Sequence, residues 1–303
     1  MISKETRLAI CQCGITANFK FKLREFNFFD CPECSLRFVY PRYLANDIYD
    51  NDYFAGASHG FGFTNYEEDK IASQEYLRKY LKWISIFTRT KPKKLLDVGT
   101  ANGYFVDLAI KSGFEAVGLE ISHSAVDWAV KLDRPVIQGT LETLNNGVVY
   151  DVITALDILE HVPDPLNFLK IVRAKISDDG LVLINVPYAG SAFSKISGKR
   201  WHAYLPPEHW MYFNKKSLRT ILEMAGFNVV VFRVISKSFT FGYIYMTIAN
   251  SPQIPLAIRK SLKFINKVIP LSKMKLKVYL PLFDNLTVIA KPVRGNNIQE
   301  TSI

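Results

Sequence analysis

The chain has 303 residues, 49% of them hydrophobic and 22% charged, with a net charge of +10. That length and balance fit a globular protein with a sizeable core, and no internal repeat or low-complexity tract points to a solenoid or linker. The charge is uneven: residues 233–303 carry 11 Lys and Arg against two acids, and the remainder is near balance. A nucleic-acid role inferred from the overall basic charge is therefore set aside.

The first residues, "MISKETRLAI", lack the long apolar run of a secretory leader, so the expected location is the cytoplasm. In a reducing compartment four cysteines point to a metal site or free thiols before disulfides. They form two knuckles, Cys11-x-Cys13 and Cys31-x-x-Cys34, among short apolar-aromatic runs that read as hairpins. Four thiolates at this spacing suit Zn²⁺, although the first knuckle is one residue shorter than the usual C-x-x-C. Residues 1–50 hold seven basic and six acidic side chains, too balanced for a phosphate-tracking ribbon.

Residues 65–87 place Ile71, Tyr76, Leu77, Tyr80, Leu81 and Ile84 at helical spacing. Strands and helices then alternate. "KKLLDVGT" is a short apolar run, "GYFVDLAIKSG" an amphipathic helix ending at Gly113, and "EAVGLE" a strand. "SAVDWAVKL" is helical, while "RPVIQG" and "YDVITALD" are strands. Asp164-Pro165 begins a further helix as cap and first residue. "GLVLINVP" is the next strand, "NKKSLRTILEMAGF" a helix started by Asn214, and "NVVVFRVI" and "NLTVIAKPV" close the series. The expected fold is α/β: a doubly wound, mostly parallel seven-stranded Rossmann-like sheet, with ligands at the strands' carboxyl ends. Asp97, Glu120 and Asp157 fall along that edge. The expected divisions are a zinc-ribbon-like module at 1–45, a linker and leading helix at 46–92, and the main domain at 93–303. A basic helical insertion at 236–285 precedes the last strand.

"LLDVGTANGYF" is a strand, a glycine-containing turn and a helix start. Gly99 and Gly103 admit a ligand close to the backbone, and free N–H groups follow. The middle glycine slot holds Ala101, which is compatible with the turn if its φ is negative. Glu120 ends the next strand, where a carboxylate can accept both hydroxyls of a ribose.

The run "LDVGTANGYF…GLEIS…YDVITALDILEHVPDPLNFLK…GLVLINVP" resembles the class I S-adenosylmethionine-dependent methyltransferases. Within them it is similar to the branch with an N-terminal zinc-ribbon-like module and a "P-E-H…Y-F" segment after the fifth strand. The resemblance spans residues 11–234 and resumes at the last strand. It implies that Asp97 and the turn from Gly99 to Gly103 hold the methionine end of S-adenosylmethionine. Glu120 would take its ribose, Thr140 and Leu141 would flank its adenine, and Asp157 at the end of the fourth strand would face the cofactor's side of the crevice. Thr140 stands where an acid often meets the adenine amine.

Methyl transfer is a direct displacement, and a hydroxyl acceptor must also lose a proton. His161 in "ALDILEHVPDP" and His209 in "RWHAYLPPEHWMYF" stand where a base is needed, with Glu160 beside the first; His202 is a weaker candidate. Asp157, Glu160 and His161 also form D-x-x-E-H, similar to the E-x-x-E-H of some metal-dependent O-methyltransferases, so Mg²⁺ closed by His209 or Glu208 is an alternative. The aromatic stretch 201–213 reads either as an acceptor wall or as a packed cover.

The uncharged run 238–258 is interrupted by Pro252 and Pro255, which argues against a spanning helix. Beyond it, Leu262, Ile265 and Ile269 alternate with lysines. This pattern suits either an anionic membrane surface or helices packed over the site with a solvated basic face. The expected function is O-methylation of a sugar, nucleotide sugar or lipid-linked glycan, with a histidine base, in the cytoplasm or on the membrane's inner face. The rivals are a quinone-type or other small-molecule O-methyltransferase and an idle membrane-surface binding module.

Overall fold

A computed structural model describes residues 9–40, 70, 74–88, 93–144, 147–236, 238–250, 254–274, 276–279 and 281–294. The boundary expected at residue 45 and the start of the helix expected at 65–87 lie outside the described residues.

Four strands open the chain: β1 (Ala9–Ile10), β2 (Thr16–Leu23), β3 (Phe26–Asp30) and β4 (Arg37–Tyr40). Helix α1 (Gln74–Phe87) follows and buries Tyr76, Leu77, Tyr80, Leu81 and Ile84, the stripe its spacing predicts. Then come β5 (Lys94–Val98), α2 (Tyr104–Lys111), β6 (Glu115–Glu120), α3 (His123–Lys131) and β7 (Val136–Gln138). The chain continues through β8 (Tyr150–Leu156), α4 (Pro165–Lys175), β9 (Ile176–Pro187), α5 (Ala192–Ser197), β10 (Met211–Tyr212), α6 (Lys215–Met224) and β11 (Phe227–Ile235). It closes with β12 (Ser238–Thr240), α7 (Phe241–Asn250), α8 (Leu256–Val268), β13 (Lys277–Tyr279) and β14 (Asn285–Pro292).

The caps are those expected. Asp164 accepts from the Asn167 N–H with Pro165 next, and Asn214 forms a reciprocal capping box with Ser217.

Seven strands form the main sheet in the order β11-β14-β9-β8-β5-β6-β7, with β14 antiparallel to both neighbours and the pairs from β9 to β7 parallel. Both faces are covered, which is why its strands read as unbroken apolar runs. Leu95, Leu181 and Leu183 face α1 and α2, whereas Leu96, Val182 and Ile184 join the opposite core.

The small N-terminal strands are not a free appendage. They form a five-stranded sheet whose last member is β10, with Met211 opposite Phe38 and Tyr212 opposite Arg37. Trp201, Tyr204, Trp210, Tyr212 and Phe213 are all buried in the core shared with Phe21, Phe26 and Phe28. The acceptor-wall reading of residues 201–213 is thereby corrected: these rings are spent on joining the cysteine module to the sheet. Tyr204 packs edge-on to Phe28 with centroids 5.1 Å apart, and Arg37 donates to the Tyr204 hydroxyl while its fork grips Asp30 at 2.6 and 2.7 Å.

Candidate active site

The cofactor half of the site lies over β5 and β6. Strand β5 ends at Val98, and the N–H groups of Gly99 and Thr100 turn over to the Leu119 carbonyl of β6. Gly99 adopts φ +68°, and a Cβ there would lie 2.1 Å from Ile158 Cδ1; Gly103, at φ +72°, would meet Val136 at 2.9 Å. Only glycine fits either position. Ala101 takes φ +52°, so the condition of a negative φ is not met. A left-handed alanine costs about 1 kcal/mol. It is held there because its N–H donates to Glu120 Oε2 at 2.8 Å, while Glu120 Oε1 accepts from the Ser122 N–H at 2.9 Å. Glu120 therefore braces the turn through the same oxygens expected to meet a ribose, each of which keeps a second lone pair.

Asp97 is buried and accepts from the Thr154 hydroxyl at 2.6 Å. Burial pushes its carboxyl up to about 6. Glu120 is also raised by burial, against the pull of its backbone donors. Thr140 sits in a turn, where its N–H donates to Thr143 Oγ1 at 2.9 Å, and Leu141 is buried in the core.

The other half of the candidate site, where an acceptor is expected, lies over β8, β9 and β14. Asp157 follows β8 with φ +59°, another left-handed residue without a glycine. Its N–H donates to the Asn185 carbonyl at 2.9 Å, and Asn185 Nδ2 donates to Asp157 Oδ1 at 2.6 Å. Thr287 in turn donates to Asn185 Oδ1 at 2.9 Å, so a polar relay crosses three strands within the core. Neither Asn185 nor Thr287 was among the sequence candidates. Their signal was a lone polar residue inside each of the apolar runs "LVLINVP" and "NLTVIA".

A short turn, Leu159–His161, then brings Glu160 and His161 beneath the loop carrying His209. The imidazole rings of His161 and His209 meet edge to face, with centroids 4.7 Å apart. His161 Nδ1 lies 2.9 Å from the Glu208 carbonyl and His209 Nδ1 lies 2.8 Å from the Ala203 carbonyl. A carbonyl only accepts, so both rings carry their proton on Nδ1 and present the Nε2 lone pair. Burial keeps both neutral, lowering His161 to about 4 and His209 to about 3. Glu160 is buried, with Oε1 4.0 Å from His161 Nε2. One donor atom from each of Glu160, His161 and His209 fits within a 4.8 Å set.

His202 Nε2 lies 3.3 Å from the buried carboxylate of Asp284, whose backbone carbonyl accepts from the Tyr188 N–H. Asp284 precedes β14, so this pair also stands at the carboxyl end of the sheet. Sequence reading left Asp284 out because its partner is 82 positions away.

The four cysteines come together outside this site. Cys11 and Cys34 Sγ are 3.5 Å apart, Cys13 and Cys31 3.5 Å, and Cys13 and Cys34 3.7 Å. Tetrahedral coordination at about 2.3 Å needs sulfurs roughly 3.7 Å apart, so the shortened first knuckle still closes on a zinc-sized space. The hydrogen bond from Cys11 lowers Cys34 to about 5, which favours a thiolate in the cluster.

A doubly wound sheet with a glycine turn, an acid ending the second strand, and neutral histidines over the fourth describes an α/β transferase with a nucleotide-type cofactor. Residues 71–231 match the methyltransferase domain model, and the chain belongs to that family. S-adenosylmethionine is the methyl donor this family implies. The ubiquinone biosynthesis O-methyltransferase of Vibrio vulnificus (strain YJ016) is 33% identical over 103 residues, covering 31% of this chain and 43% of that protein. The enzyme of the same description from Actinobacillus pleuropneumoniae serotype 7 (strain AP76) is 31% identical over 105 residues, 31% of this chain and 45% of its own. The chain thus spans less than half the length of these curated relatives. Among solved structures, the YcgJ protein from Bacillus subtilis superposes with a TM-score of 0.51 at 14% identity, over 73% of this chain and 100% of its own. The complex of the Haloferax volcanii Trm112 methyltransferase activator with a putative methyltransferase gives 0.52 at 13% identity, over 76% and 92%. These likenesses concern the fold.

Proposed function

We propose that the chain is a class I methyltransferase of the zinc-ribbon branch that methylates a hydroxyl of a sugar, nucleotide sugar or lipid-linked glycan. The observation that supports a hydroxyl acceptor is the His161–His209 pair: two neutral imidazoles 4.7 Å apart with Nδ1–H anchored on carbonyls, which leaves each Nε2 unprotonated. When bound, the cofactor's sulfonium supplies the methyl group. Asp97 would hold its ammonium and Glu120 its ribose, while Thr140 and Leu141 would border the adenine. Asp157 holds the turn that carries Glu160 and His161. With the cofactor bound, one histidine Nε2 would take the hydroxyl proton while the methyl group passes from sulfur to the acceptor oxygen, the sulfur–methyl bond breaking and the neutral thioether leaving. The four thiols hold a structural Zn²⁺, so purified protein should contain one zinc per chain, lost in Cys31→Ser; a metal-free native protein would overturn that assignment.

A second reading is favoured by the Glu160, His161 and His209 donor set and by the ubiquinone-pathway relatives: a metal-assisted O-methyltransferase acting on a phenolic ring. Two imidazoles and one carboxylate suit zinc or iron better than Mg²⁺, which prefers an oxygen shell. Transfer of labelled methyl, screened across nucleotide sugars, lipid-linked glycans and catechols, separates the two. Label in a sugar, unaffected by chelator, supports the first reading. Label confined to a catechol and abolished by chelator replaces it with the second.

A further inference from the structure

The segment between β11 and β14 leaves and re-enters the sheet at its carboxyl end, the end that carries the site. Residues 238–283 contain seven Lys and Arg and no acid. Among the described residues, the hydrogen bonds that hold α8 lie along one side of it. The Tyr245 hydroxyl donates to the Leu262 carbonyl, Arg259 Nε donates to the Ala249 carbonyl at 3.4 Å, and Asn266 exchanges hydrogen bonds with Ser272 at 3.0 and 2.8 Å. Arg259, Leu262 and Asn266 are accordingly half-buried, and they share one sector of the helix at 100° per residue.

The other two sectors are open. One presents Ala257, Ile258, Phe264, Ile265 and Val268, with Phe264 68% and Val268 72% exposed. The second presents Lys260, Lys263 and Lys267, all exposed. No residue of α8 is buried. An apolar stripe beside a lysine row, on a helix braced from behind, gains free energy only where an apolar phase adjoins negative charge.

We propose that α8 is a membrane-docking helix that inserts Ile258, Phe264, Ile265 and Val268 into the interface of an anionic bilayer, with Lys260, Lys263 and Lys267 on its phosphates. Nucleic acid would satisfy the lysines and leave Phe264 and Val268 in water. A second copy of the chain would cover the apolar stripe at the cost of facing one lysine row with another. The bilayer satisfies both sectors at once, whichever acceptor the enzyme takes.

The test is co-sedimentation of the full chain with vesicles of phosphatidylcholine alone or with 30% phosphatidylglycerol. Binding should be at least tenfold tighter on the anionic vesicles, because each lysine near the surface contributes about fivefold. The Phe264→Ser/Val268→Ser variant should bind those vesicles at least tenfold more weakly with an unchanged Tm, since neither side chain packs in the core. Equal affinity for both vesicles, or binding indifferent to the double variant, would overturn the proposal. So would a dimer in sedimentation equilibrium that Phe264→Ser dissociates, coupled with no pull-down by vesicles.

Discussion

The cofactor half and the acceptor half of the sheet's carboxyl edge are built differently. Over β5 and β6 the groups are acids and backbone amides, and apart from Thr140 and Leu141 they belong to a single strand–turn–helix–strand unit of 29 residues, 94–122. Over β8, β9 and β14 the groups are neutral histidines and a hydrogen-bond relay, gathered from positions as distant as 157, 209 and 287. The first half grips by charge and by a strained turn. The second half keeps lone pairs unprotonated by excluding water.

The strongest way to break this comparison is to remove the histidine lone pairs one at a time. His161→Asn and His209→Asn each retain an N–H for the carbonyl that anchors the ring. On an acceptor found in the methyl-label screen, the variant of the true base should lose about 10²–10⁴-fold in kcat while cofactor affinity stays within twofold. If both variants remain active and His202→Asn does not, the proton goes to the His202–Asp284 pair instead.

Next in size, Asp97→Asn should weaken cofactor binding by about 100-fold, read by calorimetry, because a buried partner for the ammonium is lost. The same change should stabilise the cofactor-free fold. The Asp97 carboxyl ionises at about 6 when folded against 3.8 for an unperturbed Asp, so its burial costs stability once pH exceeds the unfolded value and costs most above 6. At pH 7.5 the gain should be on the order of 1–3 kcal/mol in urea unfolding, vanishing below about pH 4.

Acid titration sharpens the contrast further. The cofactor's ammonium favours ionised Asp97, so its Kd should rise about tenfold between pH 7 and pH 5 as that carboxyl takes up a proton near 6. His161 and His209, at about 4 and about 3, stay unprotonated across that window. The acid limb of activity should therefore disappear at saturating cofactor. An acid limb that persists would place a titrating base outside that pair. The smallest effect is Ala101→Gly, which relieves the left-handed alanine and should change stability by no more than about 1 kcal/mol without weakening cofactor binding.

Legibility in the sequence followed the same divide. The cofactor half is local, so strand periodicity, Gly99, Gly103 and Glu120 announce it within one window. The sign of the Ala101 φ is not legible in the sequence because the contact that accompanies it, the Glu120 carboxylate, is tertiary. His161 and His209 were legible as candidates through their place after a strand and within a loop, but their mutual approach and fixed tautomers depend on Glu208 and Ala203 carbonyls that no spacing rule reveals. Asn185 and Thr287 are not legible because a polar residue in an apolar strand looks like noise until its partner strand is known, and Asp284, just before β14, because its partner His202 is distant in sequence. The aromatic stretch 201–213 has a composition equally suited to holding a ligand and to sealing two sheets, and only packing against Phe21 and Phe28 separates these uses.

The β4–β10 joint ties the cysteine module to the backbone around His209. β4, which directly follows the second cysteine knuckle, pairs with β10, and β10 begins two residues after His209. The amide of Trp210 between them donates to the Glu160 carbonyl at 2.8 Å, and its own carbonyl accepts from Val39 at 3.0 Å. Whatever disturbs the cysteine module therefore reaches the backbone that seats His209, without touching the glycine turn over β5. Cutting the chain after residue 45 to obtain a simpler catalytic domain would do the same, for it would strip β10 of its partner and leave Trp210, Tyr212 and Phe213 facing water.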